Sequence, residues 1–140
     1  MCAADVFSHY GFKHFHIFDT NLALNSRVGV RCCLPVSDPY VKIWLTHDGK
    51  KIEKKKTPVK EKTLNPTFEE IIMFTVPYER IRQTSLIVSV MDYDRVGRNE
   101  PIGQLVLGSK SGPMEVKHWN EMFAKSRTDV VKWHILKDLS

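Results

Sequence analysis

The chain has 140 residues, 42% of them hydrophobic and 26% charged, which suits one globular domain with a real core. A formal charge of +5 and a pI of about 9.2 point to an anionic partner, whether acidic lipid, nucleic acid or acidic protein. The opening "MCAADVFSHYGFKH" has no basic region followed by an apolar run, and no stretch approaches the roughly 20 apolar residues of a membrane span, so neither a secretory leader nor a transmembrane segment is expected.

The first 36 residues alternate only weakly, at Phe18, Thr20, Leu22 and Leu24 and again at Val28, Val30 and Cys32, and no strand is placed there. From Ser37 onward strands and turns follow one another. Tyr40 to Leu45 sets Val41, Ile43 and Leu45 on one face and Tyr40, Lys42 and Trp44 on the other. Lys54 to Thr57 reads as a strand with Lys54 and Lys56 together and Lys55 opposite. Phe68 to Val76, Leu86 to Met91, Gly103 to Leu107 and Val130 to Leu136 supply further strands, and "HWNEMFA", His118 to Ala124, one short helix. Period-two patterning bounded by "SDPY", "LNPT", "VPYE" and "SKSGP" predicts an all-β antiparallel sandwich. The expected organisation is an atypical segment over 1–36 and a β domain over 37–140.

Three cysteines, Cys2, Cys32 and Cys33, are an odd number confined to the first quarter. They argue against a disulfide framework and for a reducing compartment. Cys32 and Cys33 read either as ordinary small residues or as a lipidated or reactive pair.

Two constellations carry possible chemistry. In "VMDYDRVGRNEPIG", Asp92 and Asp94 stand two apart and so point the same way in extended chain, and Glu100 returns to them if "RVGRN" folds back. Asp38 in "SDPY" adds an acid from another loop. Calcium takes six to eight oxygens at about 2.3–2.6 Å, yet an aspartate also often caps its own turn, and both readings stand. The second constellation runs from Lys42 to Lys62, eight lysines against Asp48, Glu53 and Glu61. A lysine strand can protect an edge from aggregation, or it can be an anion-binding face whose grip weakens with salt.

Enzyme motifs are absent: there is no G-x-S-x-G, H-E-x-x-H or Walker loop, and the H-x-H of His14 and His16 has no companions at metal-ligand spacing. His134 reads as structural. Nucleic acid is not expected, because no stacking aromatics interleave with the basic residues.

"SDPYVKIWL", "KKKT", "TLNPTFEE", "VMDYDRVGRNEPIG", "HWNEM" and "WHIL" occur in this order, and together they resemble the C2 domain, specifically the second, membrane-distal C2 module of synaptotagmins, from about Ser37 to Lys137. The resemblance implies an eight-stranded antiparallel C2-type sandwich with calcium held between loops at one end. Asp38, Asp92 and Asp94 fall on three of the family's five acidic positions, Glu100 on a fourth where aspartate is usual, and Cys32 on the fifth. A thiol cannot replace a hard carboxylate for calcium. The family's first two strands should occupy 1–36, where their pattern is missing, as if the beginning had been replaced by splicing or start choice. The family's transmembrane anchor and first C2 module are not expected within these residues either.

By the same resemblance, Lys50, Lys51, Lys54, Lys55 and Lys56 match a polybasic face associated with phosphoinositides, SNARE proteins and clathrin adaptors, with Glu53 interrupting it. Loop position suggests Arg95 and Arg98 for phosphate contact and Val96 for dipping into the membrane. Arg127 keeps one of two far-end arginines, Thr128 taking the other place. The expected function is a non-enzymatic module binding anionic phospholipid in vesicle trafficking and regulated exocytosis. It would be cytoplasmic and peripheral at vesicle and plasma membranes, with calcium contributing weakly. The alternatives are a calcium-independent protein-interaction module and an incomplete, non-functional variant.

Overall fold

The computed structural model describes residues 5–11, 21–31, 38–60, 67–124 and 130–137. Strands with apolar residues at every second position need another apolar layer to cover them, and two four-stranded antiparallel sheets meet that need. The first sheet carries, in spatial order, β5 (Thr67–Pro77), β2 (Asn21–Arg31), β1 (Asp5–Gly11) and β8 (Val130–Ile135). The second carries β4 (Lys50–Lys56), β3 (Pro39–His47), β6 (Thr84–Asp92) and β7 (Glu100–Gly108).

The sandwich core follows from register. Ile43, Val88 and Leu105 form one cross-strand row over β3, β6 and β7, and Leu45, Leu86 and Leu107 form the next. All six are buried, and Phe68, Ile72, Phe74 and Val76 of β5 complete the cluster with them. Tyr40, expected on the outward face, is buried as well.

The backbone of the N-terminal third takes the two inner places of the first sheet. Leu22, Leu24 and Val28 of β2 stand in register opposite Val76, Phe74 and Phe68, so the weak alternation there is a strand period. Strand β1 pairs with β2 on one side and β8 on the other. Phe18, Thr20 and Cys32, which belonged to the same pattern, lie outside the described residues.

Two turns need glycine or a close approach. Asp48 and Gly49 have φ of 50° and 78°, the two left-handed residues of a tight hairpin joining β3 to β4. A Cβ at Gly103 would lie 2.7 Å from the Cβ of Leu136, so only glycine lets the chain leaving β8 cross β7 at that point. The helix, α1 (Pro113–Ala124), begins five residues before the expected His118, because Pro113 suits a first helical position and Val116 N–H bonds to the Gly112 carbonyl at 2.8 Å. His118, Trp119 and Met122 form its buried side. No helix of the described residues is long and apolar enough to cross a membrane.

Leu86 is fully enclosed, so Leu86→Ala removes three carbons and leaves a cavity. Denaturant unfolding should register a loss of about 3 kcal/mol.

Candidate functional site

The loop between β6 and β7, residues 93–99, is tied down by the side chains that sequence reasoning marked as ligands. Asp92 ends β6 opposite Pro39, and its Oδ1 accepts the Asp38 N–H at 3.1 Å. The Asp38 carbonyl accepts the Tyr93 N–H at 2.9 Å, so the two chain segments are clasped in both directions. Asp94 Oδ1 accepts the Val96 N–H at 2.9 Å, a local Asx turn. A Cβ at Gly97 would lie 2.8 Å from Asp94 Oδ2, so glycine keeps this turn tight. Asn99 closes the loop: its Oδ1 accepts the Asp94 N–H at 2.9 Å and its Nδ2 donates to the Tyr40 hydroxyl at 3.0 Å.

Val96 stands at the apex, 98% exposed, with Arg95 and Arg98 exposed beside it. Glu100 belongs to β7 rather than the loop and pairs with Asp92 across the ladder. The carboxylate oxygens suit a hard cation, but calcium needs many of them at one point. Among the described residues no three of His, Cys, Asp and Glu are gathered so as to hold a metal ion. Asp92 and Asp94 each have an oxygen engaged by backbone N–H. Cys32 and Arg127 lie outside the described residues. Asn99 and Tyr40 were not singled out by sequence reasoning, although asparagine in a bend is a signal for side-chain-to-backbone bonding.

The lysines are organised by β3. In register, Lys42 opposes Lys56 and Trp44 opposes Lys54. A regular strand would send Lys51 and Lys54, three apart, to opposite faces. The ladder shifts between Leu45 and Thr46, so that Leu45 opposes Glu53 and Thr46 opposes Lys51, with Ile52 as the extra residue. This bulge reverses the parity of the strand and brings both lysines to the Trp44 face. The ammonium groups of Lys51 and Lys54 lie 5.1 and 5.3 Å from the Trp44 ring centroid, within cation–π range.

The Lys42 amine is pushed below its ordinary pKa, first by burial and then by Lys54, Lys51 and Lys56. Keeping it charged therefore costs stability at neutral pH, and that cost fades as pH climbs from the folded pKa toward the unfolded one. A bound anion would remove it at neutral pH. Neither Lys42 nor Trp44 was among the residues assigned to this face from sequence.

Lys55 and Glu53 point the other way. The Lys55 ammonium donates to the Met73 carbonyl, lies 5.2 Å from the Phe74 ring centroid and pairs with Glu53 at 3.5 Å. Lys55 is thus committed to the junction of β4 with β5. Glu53, which interrupts the lysines in sequence, does not interrupt the Trp44 face in space. Lys50 opposes His47 beside the hairpin turn and is exposed.

Asn99→Ala deletes both bonds that close the 93–99 loop. We expect a loss of about 1 kcal/mol in global stability and a larger fall in hydrogen-exchange protection at Asp94 than in β6, read by exchange and denaturant unfolding together.

Comparison with known proteins agrees with this architecture. The sequence profile of the C2 domain matches residues 19–129. Synaptotagmin-7 of Mus musculus is 52% identical over 101 residues, 72% of this chain and 25% of that protein. Synaptotagmin-2 of Homo sapiens is 48% identical over 102 residues, 73% of this chain and 24% of that protein. The chain therefore spans about a quarter of the length of these relatives. The crystal structure of the RIM C2A domain from Drosophila has the same fold, with a TM-score of 0.70 at 18% identity, covering 96% of this chain and 98% of that one. The chain belongs to the C2 domain family, and synaptotagmins are its relatives at about half identity.

Proposed function

We propose that this chain is the second, membrane-distal C2 module of a synaptotagmin-like protein, a non-enzymatic domain that holds anionic phospholipids, phosphoinositides among them. Lys42, Lys51, Lys54 and Lys56 form the holding face around Trp44, with Lys50 at its margin. The observation that carries this reading is Lys42 placed directly opposite Lys56, with Lys51 and Lys54 beside them. Like charges opposed across a ladder destabilise a sheet, so the cluster works against the fold unless an anion offsets it. In this role the module acts at the cytoplasmic side of vesicle and plasma membranes in trafficking and regulated exocytosis. Residues 1–36 are then an unusual beginning that supplies β1 and β2.

Calcium is the smaller contributor. Asp38, Asp92, Asp94 and Glu100 would be its protein ligands, and calcium would supply positive charge to that end of the sandwich. Binding would require Asp92 and Asp94 to rearrange around bonds they already make. Arg95, Arg98 and the exposed tip of Val96 are placed to meet a membrane beside that loop. A second reading is favoured by the position of β4, the edge strand of its sheet among the described residues, whose exposed lysines suit an acidic protein segment, such as a SNARE helix or a clathrin adaptor.

Sedimentation with vesicles of mixed neutral and acidic phospholipid tests the first reading. Each lysine near an acidic leaflet is worth about 1 kcal/mol, so a variant with Lys42, Lys54 and Lys56 all changed to alanine should bind on the order of a hundredfold more weakly. Lys55→Ala should change binding much less, because its ammonium is already engaged. Equal losses in the two variants, or none in the triple variant, sink the proposal. Binding of acidic peptide but not of acidic vesicles would establish the second reading instead.

A thermal melt measures the calcium contribution. Millimolar calcium should raise Tm by no more than a few degrees over chelator, as expected for ligand that binds weakly to the native state. A large rise would show that the four acids assemble readily.

A further inference from the structure

Helix α1 is fastened to β8 by a contact that lipid binding does not use. His118 on α1 and His134 on β8 are buried, 0% and 3% exposed. Their ring planes lie 7° from parallel with centroids 4.9 Å apart, and His118 Nδ1 lies 2.6 Å from His134 Nε2, so the two rings meet edge to edge through these nitrogens. Two imidazole nitrogens this close require one N–H donor and one bare acceptor. The contact therefore holds one bridging proton, and it cannot survive when both facing nitrogens carry protons.

The surroundings favour the uncharged pair. His134 Nδ1 is buried without a hydrogen-bond partner among the described residues. The His134 imidazole is held below its ordinary pKa, first by burial; Glu115 in the first turn of α1 opposes this effect and Lys132 on β8 adds to it. Lys132 is itself paired with Glu121 of α1 at 3.1 Å. On the neighbouring strand β1, Val6 is opposite His134, and the nearest titratable positions are Asp5 and His9, opposite Ile135 and Val131. On β7, which also packs against α1, the one charged residue is Glu100, at the far end beside Asp92.

We propose that the His118–His134 contact is an acid-released clasp, which locks α1 onto β8 in neutral solution and lets it go in mildly acidic solution, uncovering Trp119 and Met122. The direction follows from proton linkage. An imidazole whose pKa is lower docked than free lends stability above its free pKa, about 6.5, and that stability is lost as pH falls below it toward the docked pKa. Undocking exposes both rings to water, so each proton taken up favours the open state by up to about tenfold per pH unit.

The test is hydrogen exchange of the full chain at pH 7.5 and 5.5, read as protection factors so that the intrinsic pH dependence of exchange cancels. The α1 amides of residues 117–124 should lose between ten- and a hundredfold in protection, with β3 and β6 losing less. The double variant His118→Gln with His134→Gln keeps a donor and an acceptor at the contact and removes the titration, so its α1 protection should not fall between the two pH values. An equal loss in α1 and in β3 and β6, or an acid loss that persists in the double variant, overturns the proposal. Should that variant not fold, ring-nitrogen NMR on the unaltered chain decides. Titration of both rings together with the loss of α1 protection supports the clasp, and titration with α1 still protected overturns it.

Discussion

The arrangement of this domain depends on β3 having one face in the core. Val41, Ile43 and Leu45 are buried and locked in register with Val90, Val88 and Leu86 on β6. A one-residue slip would turn all of them to solvent, so the pairing has a single acceptable register. The residues between them have no choice of side. Lys42 and Trp44 are directed outward by the burial of their neighbours, and β4 is then laid against them by a two-residue turn that fixes its own register. Burial on one side of the sheet thus determines charge on the other.

The bulge at Ile52 is the one departure from regular pairing along β3, and it decides which lysines act together. Bulges lengthen one strand against its partner and reorient the side chains beyond them. Here the consequence is a set of four outward lysines and an inward Glu53–Lys55 pair. The acid that interrupts the basic run in sequence is balanced by a neighbour on the far side of the strand. Net charge along the sequence is therefore a poor measure of the field above Trp44.

Much of this was legible in the sequence, and the gaps have physical causes. The alternation in Tyr40–Leu45 and Leu86–Met91 reports half-buried strands directly, and "HWNEM" announces a helix. The N-terminal strands were hidden because Leu22, Leu24 and Val28 alternate among asparagine, serine and arginine, residues that do not favour strands by themselves. Their pairing with β5 and β8 settles the backbone, and pairing is not written in any short window. The strand expected from Gly103 begins three residues earlier, at Glu100, which sequence reasoning places in the loop. The bulge that gathers Lys51 with Lys54 depends on cross-strand register, and the loop closure by Asn99 depends on a tyrosine 59 residues away. Neither is a local property.

The energetics of the lysines separate those committed to the fold from those available to a ligand. Lys55 has a carbonyl, a carboxylate and an aromatic ring around its ammonium, and a phosphate would have to replace all three. Among the described residues Lys51 and Lys54 rest on Trp44, through contacts worth about 0.5–1 kcal/mol at an exposed site. A phosphate beside an ammonium offers a charge-assisted hydrogen bond, which is stronger than that. The tryptophan therefore confines two flexible side chains to the place where an anion would meet them, reducing the ordering cost of binding without competing seriously for the charge. Selectivity for a compact, multiply charged headgroup over a diffuse negative surface would follow from that confinement, because the lysines converge over one ring and are not spread along the strand.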